Sequence, residues 1–274
     1  MKNLLLIILL SATLFANLQE KIENFMSKEE YAKRENLVNI LFKNKEEFYK
    51  ESDGNVDCVK VIERLKESGL FKLFYDKVVT LNVEFKTDKN PLIFMKVIND
   101  SLESIGYNYY LTKSAKKDKD GYLWQIYLKT KHLINPVLFA KELEKRGCKI
   151  KDITKKDDYS WSYDIDSKDA KILAKRIDSD TTVKLKKPIE PYWIYCNDDY
   201  KEMVLKSNYG DHWYPLITFF DKSLHVISQV FQDSRELQLR VEIPKGCRYI
   251  KIGDIYNLEN IKHGLSIHIR TFEQ

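Results

Sequence analysis

Between Asp57 and Gly147 the apolar positions return in one arrangement three times. Asp57-Cys58-Val59-Lys60-Val61-Ile62-Glu63-Arg64-Leu65, closing at Gly69, superimposes on Asn135-Pro136-Val137-Leu138-Phe139-Ala140-Lys141-Glu142-Leu143, closing at Gly147. A longer copy opens at Asn90-Pro91-Leu92 and closes at Gly106. Asp or Asn at the N-cap receives the first free amides, Pro in the first turn has no amide to lose, and Gly after the last turn takes a left-handed conformation. Each stretch therefore predicts a short helix with its own start and stop. After each glycine an apolar run, a charged turn and an alternating run predict two strands. The first strands are Leu70 to Phe74, Tyr107 to Thr112 and Lys149 to Thr154; the second carry Val79/Leu81/Val83/Phe85, Trp124/Ile126/Leu128 and Trp161/Tyr163/Ile165 on one side. Tyr75-Asp76-Lys77, Lys117 to Gly121 and Lys155 to Asp158 are the expected turns.

A fourth copy is expected from Asp169, where Ile172-Leu173-Ala174-Lys175-Arg176-Ile177 matches Leu138 to Leu143. One such unit cannot cover its own apolar face, so neighbouring copies should share a sheet with helices on one side. The expected class is α+β, with repeated helix-strand-strand modules of ferredoxin-like or KH-like kind over 55–185. Trp124 and Trp161 fall at one repeat position, which makes them core.

Beyond Lys186 the helical period ends. Short β-rich runs follow: Tyr192 to Cys196, Met203 to Lys206, Pro215 to Phe220, Leu224 to Phe231, Glu236 to Glu242, Tyr249 to Ile252 and Leu265 to Phe272. Leu237/Leu239/Val241 against Gln238/Arg240/Glu242 is the clearest alternation. Seven strands parted by turn residues predict an antiparallel β-sandwich over 186–274.

The chain starts with Met1-Lys2-Asn3, an uninterrupted apolar run from Leu4 to Leu10, and small residues ending at Ala16. That pattern is a secretory signal peptide over 1–16 with cleavage after Ala16, an apolar run short for a bilayer, and no neighbouring cysteine for a lipid. The mature chain is then periplasmic, with no transmembrane segment. Residues 17–54 have a helical texture, with one stripe of Leu18, Ile22, Phe25 and Met26 and a second of Leu37, Ile40 and Leu41.

A hydrophobic fraction of 43% and a charged fraction of 32% suit folded cores, and 274 residues suit two domains. The net charge of +5 is spread over interspersed acids and bases, and the lysine runs sit in turns, so nucleic acid is not an expected partner. Four cysteines in an exported chain permit disulfides. Of the three possible pairings, the domain division favours Cys196 with Cys247 and Cys58 with Cys148, and reduced structural thiols are the alternative.

No catalytic residue, metal or cofactor is expected. The five histidines form no HExxH, there is no GxSxG, and the Gly-Cys pairs lack the flanking residues of a cysteine nucleophile. Asp254, Asn257, Glu259 and Asn260 are oxygen ligands of the kind calcium takes, although such a cluster is also an ordinary turn. The best binding candidates are aromatic: Trp193, Tyr195, Tyr209, His212, Trp213 and Tyr214. Rings of this kind stack on sugars, and they equally fill the core of a sandwich.

Ile243-Pro244-Lys245-Gly246-Cys247-Arg248-Tyr249-Ile250-Lys251-Ile252 followed by Gly264-Leu265-Ser266-Ile267-His268-Ile269 resembles the closing strands of galactose-binding-like jelly rolls. The leader ending Leu14-Phe15-Ala16, with Asn90-Pro91-Leu92 through Ile98-Asn99-Asp100-Ser101-Leu102, resembles conserved periplasmic proteins of unknown function in Campylobacter-type bacteria. This second resemblance implies a location and no activity. The functional expectation is a non-enzymatic periplasmic scaffold whose sandwich binds an envelope protein or glycan. Two alternatives are a hydrolase of envelope polymers with a site in an interdomain cleft, and a self-assembling secretin-like or SPOR-like component.

Overall fold

The structure, a computed structural model, describes residues 17–119 and 121–271. The expected leader lies outside the described residues. The chain divides into two compact units, Met1–Lys171 and Ile172–Gln274. The boundary expected between residues 185 and 186 therefore falls inside the second unit. The whole is a mixed α/β structure with antiparallel sheets.

In the first unit, helices α1 (17–26) and α2 (Lys28–Leu41) precede α3 (Cys58–Glu67). Strand β1 (Phe74–Thr87), helix α4 (Pro91–Ser104) and the hairpin β2 (Leu111–Asp118) and β3 (Gly121–His132) come next. Helix α5 (Pro136–Lys145) and the hairpin β4 (Lys149–Asp157) and β5 (Ser160–Asp166) complete it. The strands form one sheet in the order β2-β3-β1-β5-β4. β1 runs antiparallel to β3 and parallel to β5, so it joins the two hairpins.

What the sequence shows as punctuation is a shared backbone device. Gly69, Gly106 and Gly147 all have positive φ, between 70° and 95°. At each, the following amide reaches back to a leucine carbonyl: Leu70 to Leu65 at 2.8 Å, Tyr107 to Leu102 at 2.9 Å and Cys148 to Leu143 at 2.9 Å. The glycine amides bond Lys66, Glu103 and Glu144, which completes a Schellman closure three times. The three leucines are fully buried. At the other end, Asp57 caps Val59 and Lys60, and Asn135 caps Val137 and Leu138. Asn90 departs from this: its backbone is left-handed and its side chain caps nothing, so Pro91 alone marks that start.

The four-copy repeat reduces to two αββ modules, α4-β2-β3 and α5-β4-β5. The first copy has no hairpin. Residues 70–73 are not strand, and Tyr75-Asp76-Lys77 lies within β1, where pairing with β3 is irregular between Phe74 and Val79. Turn-like residues are there absorbed as a bulge. The fourth copy has no helix at all. Residues 171–174 are extended, and Lys175 forms a parallel bridge to Ile194 in the second unit.

The core of the first unit lies between sheet and helices. Phe85 on β1 pairs with Trp124 and Tyr163 on its neighbours, and its ring centroid sits 5.7 Å from that of Phe139 on α5. Trp124 and Trp161 are buried as expected. The stripe Leu18, Ile22, Phe25 and Met26 is buried too, and Phe25 stacks on Trp161. The second stripe is not: Leu37 is 40% and Ile40 71% exposed, and α2 instead buries Val38, followed by Phe42.

The second unit holds two four-stranded antiparallel sheets. One is β10 (Val226–Phe231), β9 (Pro215–Phe220), β12 (Tyr249–Asp254) and β7 (Tyr192–Tyr195). The other is β11 (Gln238–Glu242), β8 (Tyr200–Ser207), β13 (Leu265–Thr271) and β6 (Thr182–Lys184). The seven expected strands are all present, and the three-residue β6 is additional. Ile194, Ile217, Phe219, Ile250 and Ile252 of the first sheet share one core with Met203, Leu205, Val241, Ile267 and Ile269 of the second.

Alanine at the helix-closing glycines should separate backbone strain from crowding. A Cβ at Gly106 meets nothing within 4 Å, whereas at Gly147 it would sit 2.1 Å from the Asp169 carbonyl oxygen. Gly106→Ala is expected to cost about 1–2 kcal/mol from the left-handed backbone alone, and Gly147→Ala distinctly more. Urea midpoints at unchanged slope measure both, and equal losses would contradict the crowding at Gly147.

Candidate functional site

The polar members of the alternating strands in the second unit collect on the outward face of the β11-β8-β13-β6 sheet. Registers place Lys206 beside Gln238 and Ser266, and Val204 beside Arg240 and His268, with Thr182 next to His268. In the next row Glu202 faces Arg270. Apart from Glu202, which lies beside it, these side chains line an open groove of about 400 Å³. Glu202 is shared by two guanidinium groups, Arg270 at 2.9 Å and Arg240 at 4.0 Å. Lys206 has no carboxylate partner among the described residues. His268 Nδ1 lies 3.1 Å from the Thr181 carbonyl oxygen and 3.3 Å from Thr182 Oγ1. Among the described residues no Trp, Tyr or Phe lines the groove.

The aromatic residues singled out in the sequence do not assemble. Trp213 is fully buried in the shared core and its Nε1 donates to the Gly253 carbonyl at 2.9 Å. Tyr209 stands alone in solvent, 101% exposed. Tyr214 packs edge-on against Tyr256, and His212 is exposed, its backbone amide bonded to Asn260. Trp193 and Tyr195 do share the outward face of β7. Trp193 packs on Phe220 with Lys251 Nζ above its ring, and Tyr195 lies under the guanidinium groups of Arg176 and Arg248. The faces that would stack on a sugar are thus occupied by the protein's own side chains.

The loop of Asp254 is an ordinary turn built around one carboxylate. Asp254 Oδ2 accepts from Tyr214 N, and Oδ1 from Tyr256 N, Asn257 N and Asn260 Nδ2, at 2.8–3.0 Å. Asn257 caps the short helix that follows, accepting from Glu259 N. Among the described residues no group of three or more His, Cys, Asp or Glu is arranged to hold a metal. Asp211 is buried and holds His263 Nδ1 at 2.7 Å, which among the described residues is the one hydrogen bond of the His263 ring.

All four cysteines are buried free thiols. The pairing of Cys58 with Cys148 is not what the structure holds. Cys58 Sγ donates to Asp152 Oδ1 at 3.3 Å, and Cys148 stands four residues earlier on the same chain, roughly 13 Å away at the rise of a strand. Such a span is beyond a disulfide. Burial pushes both thiols up to about 12. Cys196 and Cys247, in contrast, lie on neighbouring strand ends of one core: the Cys196 amide bonds the Arg248 carbonyl at 2.9 Å, and each thiol donates to a backbone carbonyl at 3.5 Å, Cys196 to Asn197 and Cys247 to Tyr249.

No protein-family model, curated protein or solved structure matches this chain. The groove residues have a sequence signal only as the polar half of alternations such as Gln238/Arg240/Glu242 and Ser266/His268/Arg270. Alternation reports that a face is outward; which strands lie side by side, and hence which cations converge, comes from the fold.

Two expected outcomes follow from these positions. Trp213→Ala should cost about 3–5 kcal/mol in unfolding experiments, and Tyr209→Ala less than about 0.5 kcal/mol, although both were candidates of one set. The raised Cys58 and Cys148 thiols stabilise the fold fully below pH 9, the ordinary thiol value, and this contribution is lost as pH rises toward about 12. Removing both in a Cys58→Ala, Cys148→Ala chain should flatten the decline of stability above pH 9; an unchanged alkaline slope would assign it to other groups.

Proposed function

We propose that this chain is an exported, non-enzymatic binding protein of the cell envelope. In this reading the first unit is a scaffold of αββ modules, and the second is a β-sandwich that binds an envelope protein or glycan. The observation that carries it is the polar groove across the outward face of β11-β8-β13-β6, which brings cations and hydrogen-bonding side chains together. Sites that take ligands are concave and place a few polar groups together, and this groove does both. Export is supported by the basic start, the short apolar run and the small residues before Asn17. Among the described residues no helix is long and apolar enough to cross a membrane.

The test uses the mature chain from Asn17, affinity-tagged at its C-terminus. It is expected to start at Asn17 when recovered from the periplasmic fraction of cells expressing the full sequence. It should also co-sediment with isolated envelope glycan or retain a defined periplasmic protein. Blank results in both the sedimentation and the pull-down would overturn the binding reading, and recovery in the cytoplasm would overturn export.

A further inference from the structure

The groove has a chemistry that narrows its ligand. Its cations are arranged over three strands rather than clustered on one: Arg240 on β11, Lys206 on β8 and Arg270 on β13. Neighbouring strands are about 4.8 Å apart, so the three charges span a strip rather than a point. Glu202 bonds Arg270 at 2.9 Å and lies 4.0 Å from Arg240, and among the described residues Lys206 has no carboxylate of its own. Interleaved with these are the neutral donors and acceptors Gln238, Ser266 and Thr182. We propose that this groove binds an acidic saccharide, a chain whose carboxylates meet Lys206 and Arg240 while its hydroxyls meet Gln238, Ser266 and Thr182. This rests on the binding function proposed above and names its ligand class.

Two alternatives fit the surface less well. A neutral sugar chain is held largely by stacking on Trp, Tyr or Phe, and none of these lines the groove among the described residues. An acidic peptide binds by adding a strand to a sheet edge or by seating side chains in apolar pockets. The groove instead lies on the face of the sheet, and its one apolar side chain, Val204, is buried beneath its neighbours. Direct recognition of hydroxyls together with carboxylates is what remains. Hydrogen bonds between charged partners supply most of the affinity, and salt weakens them.

Calorimetric titration of the mature chain with oligogalacturonate, a neutral malto-oligosaccharide and hexaglutamate tests this. The expected result is binding of the oligogalacturonate alone, weakened by added sodium chloride. The variant Lys206→Gln with Arg240→Gln should lose at least about tenfold in affinity at an unchanged melting temperature. Failure to bind oligogalacturonate, equal binding of hexaglutamate, or full binding by the double variant would each overturn the proposal. If the double variant still sediments with envelope glycan or retains its partner protein, the broader binding function stands and only this ligand assignment falls.

A second inference rests on a different observation. Cys196 follows β7 and Cys247 precedes β12, where the Cys196 amide bonds the Arg248 carbonyl at 2.9 Å. Both thiols belong to the shared core, 1% and 3% exposed. We infer that Cys196 and Cys247 close a disulfide while the chain folds in an oxidising compartment. One thiolate attacks a sulfur of an oxidant disulfide such as oxidised glutathione and expels one thiolate from it. The second cysteine then attacks the mixed disulfide, expels the other, and the pair has given up two electrons and two protons. Refolding in a glutathione redox buffer, unfolding in alkylating reagent and mass spectrometry of the peptides read the result. Labels on Cys58 and Cys148 with a linked Cys196–Cys247 peptide are expected. Labels on all four, or a link involving Cys58 or Cys148, would overturn it.

Discussion

Every side chain of the groove is held in place by its apolar neighbours. Leu205 beside Lys206, Val241 beside Arg240, and Ile267 and Ile269 beside His268 and Arg270 enter the shared core, and a strand that buries one residue must present the next outward. A slip of one position would put the cations into the core and the leucine and isoleucines into water, an exchange no hydrogen bond could offset. The hydrophobic effect thus fixes the register, and the register fixes which charges meet. The polar face is specified by the burial of its opposite.

The first unit solves a different problem by local means. A Schellman closure needs only a glycine, a buried leucine four residues before it and a following amide, all within one turn of chain. Because each helix ends itself, the sheet can be assembled from parts whose ends are already defined. The joining element is β1, whose two edges take an antiparallel and a parallel partner. Phe85 near its C-terminal end meets a ring from β3, a ring from β5 and a ring from α5. Long-range order therefore depends on one strand, and the local order on either side does not.

This difference explains what could be read in advance. Helix ends at Gly69, Gly106 and Gly147 and the seven strands of the second unit are set by short-range chemistry, and all appear. Two errors share a cause. Tyr75-Asp76-Lys77 has the composition of a turn, yet pairing with β3 carries the chain through it as an irregularity in a long strand. Ile172 to Ile177 has the apolar spacing of α5, yet no capping proline or closing glycine, and its backbone finds partners elsewhere: Lys171 N at the Arg146 carbonyl, and Lys175 N at the Trp193 carbonyl. Periodicity without punctuation was too little to make a helix. The aromatic set failed for the reason that sequence weighs residue type and not competition. Trp213 was consumed by the core, while Trp193 and Tyr195 were consumed by neighbouring cations.

The groove differs from an ordinary solvated sheet face in how its floor is covered. Val204 points outward yet is only 8% exposed, because Arg240 and His268 on the flanking strands stand over it. His268 is tied through Nδ1 to the Thr181 carbonyl, and Arg270 through Glu202, so these walls keep their positions without a ligand. Side chains already held lose little freedom on binding, which removes a cost that free surface lysines and arginines must meet. Glu202 also stops short of neutralising the face. Glu202 answers two guanidinium groups and, among the described residues, no carboxylate pairs with Lys206, so even with Glu242 beside Glu202 the three cations leave a positive field along the strip. At physiological salt that field persists over about 8 Å, a range that covers adjacent strands. An anionic chain laid across the strands would meet those charges together, whereas a small anion would meet one at a time.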